Sequence, residues 1–161
     1  MQTLVHSLAK SGLFLTSGNI YRLSGSKRVN ESTGIFEQDR ITAYLWIAGF
    51  IALSGLPPFG GFWSKLFLAK ALIGDNRLYL FIPVFLLLVV IIAGMSRIFM
   101  IMVAVPKNKD IPVQKRFGLL SYLPQILFLL VLIIMGFTIP EPIQKLIEDA
   151  RRFIQGGGGS L

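Results

Sequence analysis

The chain has no cysteine among its 161 residues, a single histidine, and charged side chains at only 15% of positions. Each shortage closes a class of function. Without thiols there is no disulfide-stapled secreted scaffold, no thiolate zinc site and no iron–sulfur cluster, so no metal and no cofactor is expected. Scarce charge beside 53% hydrophobic residues and a mean hydropathy of +0.67 excludes a disordered chain and an ordinary soluble domain. There is no nucleotide-binding glycine fingerprint, no signal-peptide cleavage pattern and no internal repeat. Acids are few as well. All eight (Glu31, Glu37, Asp39, Asp75, Asp110, Glu141, Glu148, Asp149) fall between or after the apolar stretches, against sixteen Lys and Arg, for a net charge of +8. The basic residues are not interleaved with aromatics along a polar face, so no nucleic-acid partner is expected.

What is abundant is apolar sequence, in four stretches at about 2–23, 41–73, 78–105 and 118–139. A membrane-spanning helix needs about 20 residues at roughly 1.5 Å rise each. The pattern predicts an all-α integral membrane protein with about four transmembrane segments. The second stretch is too long for one straight crossing and carries Gly55-Leu56-Pro57-Pro58-Phe59-Gly60-Gly61 at its middle. Neither proline can donate a backbone hydrogen bond, and each disfavours helix at the residue before it. A discontinuous helix follows, its break bounded by Gly55, Pro57, Pro58, Gly60 and Gly61. Two short segments joined by a surface loop are the other reading, but each half is too short to span alone. Irregular backbone at membrane depth is tolerated only where it is buried in protein or lines a hydrated cavity.

Loop charge predicts orientation. The loop at 24–40 holds Lys27, Arg28 and Arg40, and that at 106–117 holds Lys107, Lys109, Lys115 and Arg116, whereas the loop near Asp75 holds only Arg77. The first and third loops are then cytoplasmic and both termini lie on the outer face of a prokaryotic cytoplasmic membrane. Beyond Pro140, apolar residues at spacings of three and four from Ile143 to Ile154 predict an amphipathic surface helix over 141–155, anchored on the lipid surface or against a neighbouring subunit. Residues 156–161, four glycines followed by Ser160 and Leu161, read as a flexible tail.

Five ionisable side chains lie inside the apolar stretches: His6, Lys10, Lys65, Lys70 and Arg97. An intramembrane charge costs at least about 2.5 kcal/mol, so such residues are functional candidates by default. His6 and Lys10, four apart on one helix, share a face about one turn apart. Burial and a nearby second cation both disfavour a charged lysine, so a group ordinarily locked in one state becomes able to exchange a proton. Lys65 lies four residues past Gly61, near the start of the second half-helix, where free N–H groups and the positive dipole end oppose an ammonium ion. Lys70 lies nearer the outer end, within reach of headgroups. Arg97 does not deprotonate, so it is a fixed electrostatic or structural charge rather than a relay member.

Two motifs at this separation make the pattern specific. His6-Ser-Leu-Ala-Lys10-Ser-Gly-Leu-Phe-Leu-Thr-Ser-Gly18-Asn-Ile, followed by Gly55-Leu-Pro-Pro-Phe-Gly-Gly-Phe-Trp-Ser-Lys65, resembles the proton-translocating antiporter-like subunits shared by respiratory NADH:quinone oxidoreductase, Mrp-type sodium/proton antiporters and group 4 membrane-bound hydrogenases. The wording is most similar to the formate-hydrogenlyase and energy-converting hydrogenase branch. The resemblance implies that His6 and Lys10 lie on a central hydrophilic axis and that Lys65 is the outer proton-transfer residue of a discontinuous helix. Arg97 matches that family loosely. The resemblance implies that a full member has about fourteen helices, containing two inverted repeats of five; this chain resembles only the last four, so the remaining helices are expected from other membrane subunits of a multisubunit redox complex.

The expected function is therefore a partial antiporter-like module of a redox-driven ion pump, carrying part of a proton or Na⁺/H⁺ path through His6, Lys10 and Lys65, with no redox catalysis by this chain alone. The alternative is a non-conducting bridging subunit that keeps the antiporter fold.

Overall fold

The computed structural model describes residues 2–74, 78–106 and 118–137, all of whose regular structure is helical. The expected amphipathic helix over 141–155, the tail at 156–161 and the basic residues Lys107, Lys109, Lys115 and Arg116 lie outside the described residues. The main elements are α1 (Gln2–Ser24), the single turn α2 (Ile35–Gln38), α3 (Arg40–Ser54), α4 (Gly61–Gly74), α5 (Leu78–Ala104) and α6 (Leu123–Phe137).

Local chemistry sets the helix ends. α1 stops where Gly25 turns to φ 71°, its N–H closing on Tyr21 O at 2.8 Å. α3 starts at Asp39, which is extended and accepts from the backbone N–H groups of Ile41 and Thr42, a side-chain cap for two otherwise orphaned donors. It ends at Gly55, whose φ of 61° lets its own N–H reach Ala52 O while Leu56 N reaches Ile51 O; this paired closure is a Schellman cap. Pro124 falls in the first turn of α6, where a missing N–H costs nothing. In the α1–α3 connection Ser26 Oγ donates to Glu31 Oε2 at 2.5 Å and Arg28 Nη1 to Glu31 Oε1 at 3.2 Å. The Ser26 hydroxyl first, then Arg28, hold the Glu31 carboxyl below its ordinary pKa.

α1 is the centre of the bundle. Its residues Val5, Ala9, Leu13, Thr16, Ile20 and Leu23, at spacings of three and four, draw one buried stripe against α3 and α6. The partners of that stripe show that α1 runs antiparallel to both. Val5 and Ala9 cluster with Ala52, Phe59, Leu132 and Met135 at one end, while Ile20 clusters with Ile35, Ala43, Met102 and Val103 at the other. Between them Leu13, Phe50 and Phe99 form a middle layer, with Trp46 stacked on Phe99 at 4.4 Å between ring centroids. α1 and α3 approach closely at Gly49, where an added Cβ would stand 2.6 Å from Leu13 Cδ2.

α5 is different. Its stretch Tyr79–Ala104 has 26 residues and a hydropathy of 2.6, and only 6% of its most apolar window is buried. At roughly 1.5 Å per residue it is long enough for the about 30 Å hydrocarbon layer. A soluble core helix of that hydropathy would be covered by protein; this one exposes Val84, Leu87, Val90 and Ile91. α3 and α6 are shorter apolar helices. Over the described residues the protein is an all-α, membrane-associated helical bundle with one clear spanning helix and several shorter apolar ones.

The Asp39 carboxylate also accepts from Tyr122 OH at 2.8 Å and from Thr42 Oγ1, so one side chain caps α3 and ties it to α6. Asp39→Ala should lower stability by about 2 kcal/mol or somewhat more. Asp39→Asn should recover most of it, as read from thermal unfolding in detergent.

Candidate functional site

The site grows from the interrupted stretch between α3 and α4. After the Gly55 cap the backbone makes a tight turn through the cis Pro57–Pro58 bond, with Phe59 N closing on Leu56 O at 3.1 Å, and α4 begins at Gly61. Leu56, Pro57 and Pro58 are exposed whereas Gly55, Phe59, Gly60 and Gly61 are buried. Glycine is required there by contact. A Cβ on Gly61 would lie 3.0 Å from Gly55 Cα, and one on Gly60 would lie 2.9 Å from Met135 O. Opposite, a Cβ on Gly136 of α6 would collide with Pro58 O. The break is thus seated backbone to backbone on α6, and Trp63 Nε1 fastens it by donating to Gly136 O at 2.6 Å.

Lys65 sits one turn into α4, half-buried, and its Nζ reaches back across the break to donate to Ser54 O. This differs from the field expected from its own helix. The N-terminal end of α4 opposes an ammonium, but Ser54 belongs to the last turn of α3, where orphaned carbonyls and the negative dipole end favour one. The break brings the two half-helix ends together, and the lysine spans from one to the other. Gly55 has to be small for this: a Cβ there would lie 3.1 Å from both Cε and Nζ of Lys65.

His6 and Lys10 lie on the side of α1 turned away from the buried stripe, both exposed. Among the described residues neither has a hydrogen-bonding or ionic partner, the other included. Ser11 Oγ, also exposed, donates to Ser7 O at 2.9 Å. The first turn of α1 abuts the start of α4: Val5 Cγ1 is 3.6 Å and Gln2 Oε1 3.8 Å from a Cβ placed on Gly61. His6 and Lys65 therefore belong to neighbouring turns of packed helices, while Lys10 is a turn further along α1. Lys70 on α4 and Arg97 on α5 stand apart from the break, Lys70 exposed and Arg97 on the weakly covered spanning helix. Among the described residues no three of His, Asp and Glu converge into a metal-binding group.

Residues 1–92 match the family described as NADH:quinone oxidoreductase/Mrp antiporter, transmembrane region. The chain belongs to that family. The matched stretch takes in α1, the break, Lys65 and most of α5. Among similar proteins, NADH-quinone oxidoreductase subunit N of Desulforudis audaxviator is 35% identical over 68 residues, covering 42% of this chain and 14% of that protein. A Na(+)/H(+) antiporter subunit of Alkalihalophilus pseudofirmus is 26% identical over 162 residues, covering 88% of this chain and 20% of that protein. NADH-quinone oxidoreductase subunit L of Campylobacter jejuni is 41% identical over 61 residues, covering 37% of this chain and 10% of that protein. The chain thus spans a tenth to a fifth of the length of these curated relatives. No solved structure matches.

Within this antiporter-like bundle, two supports of the break were not foreseen from sequence. Trp63 is an aromatic within one apolar stretch and Gly136 a small residue within another, and neither carries a local signal for this contact. Nothing local distinguishes Gly136, because what it answers to is Pro58, far back along the chain. Gly136→Ala should displace α6 from the break and cost about 3 kcal/mol, the upper end of the usual overpacking penalty, because the contact is with backbone. Trp63→Phe, which keeps the ring and removes the donor, should cost about 1 kcal/mol. Unfolding midpoints of the two variants in detergent test that order.

Proposed function

We propose that this chain is a partial antiporter-like module of a multisubunit membrane complex and that it carries part of an ion path, with Lys65 as its gate residue at the helix break and His6 with Lys10 as the preceding station. The observation that carries the reading is the seat of Lys65. Its amine bridges two half-helix ends inside a family of antiporter-type subunits, so gaining or losing a proton there changes the charge at a junction between helices rather than on a rigid rod. In the proposed cycle the Lys10 ammonium gives a proton to water and the Lys65 amine receives one. His6 accepts the proton as its neutral imidazole becomes imidazolium and returns it in the reverse step. Charge arriving on a neighbouring subunit expels the proton from Lys65 and charge leaving restores it. Lys70 and Arg97 serve as fixed charges.

The topology proposed with it has four transmembrane segments, the second being α3 and α4 together, with the two basic loops on the cytoplasmic side and both termini outside. In support, the flanks of both basic loops lie at one end of the bundle: Thr33 Oγ1 donates to Pro106 O at 3.4 Å, and Asn19 near the end of α1 bonds to Ser121 ahead of α6. The host complex is a redox-driven pump, of formate-hydrogenlyase or energy-converting hydrogenase type by the wording of the two motifs, in which this chain performs no redox chemistry. Other antiporter-like membrane subunits supply the remaining helices.

A second reading, a non-conducting bridging subunit, draws on one observation. The cluster around the break (Val5, Ala9, Ala52, Phe59, Leu132, Met135) is apolar and closely packed, as a merely structural joint would be. The two readings separate on ion transport in the assembled complex. Lys65→Ala and Lys10→Ala should each lower pumping by about tenfold or more while leaving electron transfer and assembly intact, since a proton-transfer group contributes at least that much. Wild-type pumping in both variants would overturn the conducting reading and leave the structural one.

A further inference from the structure

A row of polar side chains enters the bundle from the end that carries the α1–α3 connection, on the side of α1 away from His6 and Lys10. Its mouth is an open cavity of about 540 Å³ walled by Glu37, Asp39, Arg40 and Tyr122, among others. Tyr122 OH donates to Asp39 at 2.8 Å, and one residue earlier Ser121 exchanges hydrogen bonds with Asn19 of α1, Oγ to Oδ1 at 3.1 Å and Nδ2 to the Ser121 carbonyl at 3.4 Å. The next positions inward follow from helical periodicity. Three residues past Tyr122 on α6 comes Gln125, and three residues before Asn19 on the antiparallel α1 comes Thr16.

Both are deeply buried, Gln125 3% exposed and Thr16 1%. Thr16 Oγ1 gives its hydrogen to Gly12 O at 2.9 Å and so keeps lone pairs to accept with. Gln125 Oε1 accepts no hydrogen bond from any described residue. An amide oxygen left unpaired in an apolar interior is destabilising. Gln125 and Thr16 line the same void between α1, α3 and α6, which Gly12 and Gly49 also border and which has about 10 Å³ accessible to the centre of a water molecule. One water needs about that much, roughly 10–15 Å³, and at least two polar partners.

We propose that this void is a binding site for a single structural water, donating one hydrogen to Gln125 Oε1 and the other to Thr16 Oγ1. The site is the inner end of the polar row. Beyond it Ala9, Ala52 and Leu132 close the interior before the break. Hydration here is a property of the α1–α3–α6 interface and does not depend on the roles proposed for Lys10 and Lys65.

A density map of the assembled complex that resolves ordered waters elsewhere in its membrane region tests the site. A peak within hydrogen-bonding distance of both Gln125 Oε1 and Thr16 Oγ1, lost in Gln125→Met with the helices unmoved, is the expected result. A wild-type map with waters elsewhere and none here overturns the proposal. Melting points give a second route that needs no map. If one water joins the two side chains, Gln125→Met and Thr16→Val should each lower the midpoint, and the double variant should lose less than the sum of the two single losses. A midpoint that stays or rises in Gln125→Met would mean that the amide oxygen is dry and unpaired, and fully additive losses would mean that the two side chains share no water; either result overturns the site.

Discussion

A helix can be broken inside a bundle only where something else takes up the space and the backbone groups it gives up, and here that is the backbone of α6. Pro58 O rests on Gly136 and Gly60 rests on Met135 O, contacts with no side chain between them. The Trp63 indole then fixes the register by bonding to the Gly136 carbonyl. Everything at the break inherits its position from this seating. α4 leaves in the direction it does because Phe59 is held in the apolar cluster beneath, and Lys65 reaches Ser54 because the two half-helices are held end to end. Replacing Gly60, Gly61 or Gly136 inserts a methyl group where backbone already stands.

The same joint resolves an electrostatic difficulty. A lysine in the first turns of an apolar helix faces a positive dipole end and has no acid in any apolar stretch to balance it. The carbonyl end of α3 supplies the balance without an acid. Such a partner has different consequences from a carboxylate. A carboxylate next to Lys65 would hold the ammonium in a salt bridge that is costly to break once buried, whereas a carbonyl offers a hydrogen bond and a partial charge, which favour the proton without locking it. The arrangement explains how a chain with no acid in its apolar stretches can hold a half-buried amine.

How much of this is legible in the sequence depends on how local each cause is. The helical class and the interruption at 55–61 follow from apolar run length and two adjacent prolines, properties of the immediate sequence. The Asp39 cap has a local signal too, an acid directly before an apolar run, although its second role toward Tyr122 does not. The setting of Lys65 cannot be read from its own helix, because the field that matters comes from Ser54, on the far side of the break. Gly136, Trp63 and the Gln125–Thr16 pair are legible only once α1 and α6 are known to run antiparallel, since each answers to a group far off in sequence.

The polar residues of α1 divide by whether the chain itself satisfies them. Thr16, Asn19 and Ser24 face inward and find partners in α1, in Ser121 and in the α1–α3 connection. Ser11 faces outward, but its hydroxyl bonds to its own helix, so it places no demand on the surroundings. The ionisable His6 and Lys10, exposed on the outer face, have no partner among the described residues. Lys10 lies about 12 Å along the helix from Gln2, at roughly 1.5 Å per residue, well inside a hydrocarbon layer about 30 Å thick if α1 crosses it. Hydrocarbon tails satisfy neither an ammonium nor an imidazole. The face of α1 that the described residues leave uncovered is thus the one that needs a polar neighbour, whether water, lipid headgroup or another helix.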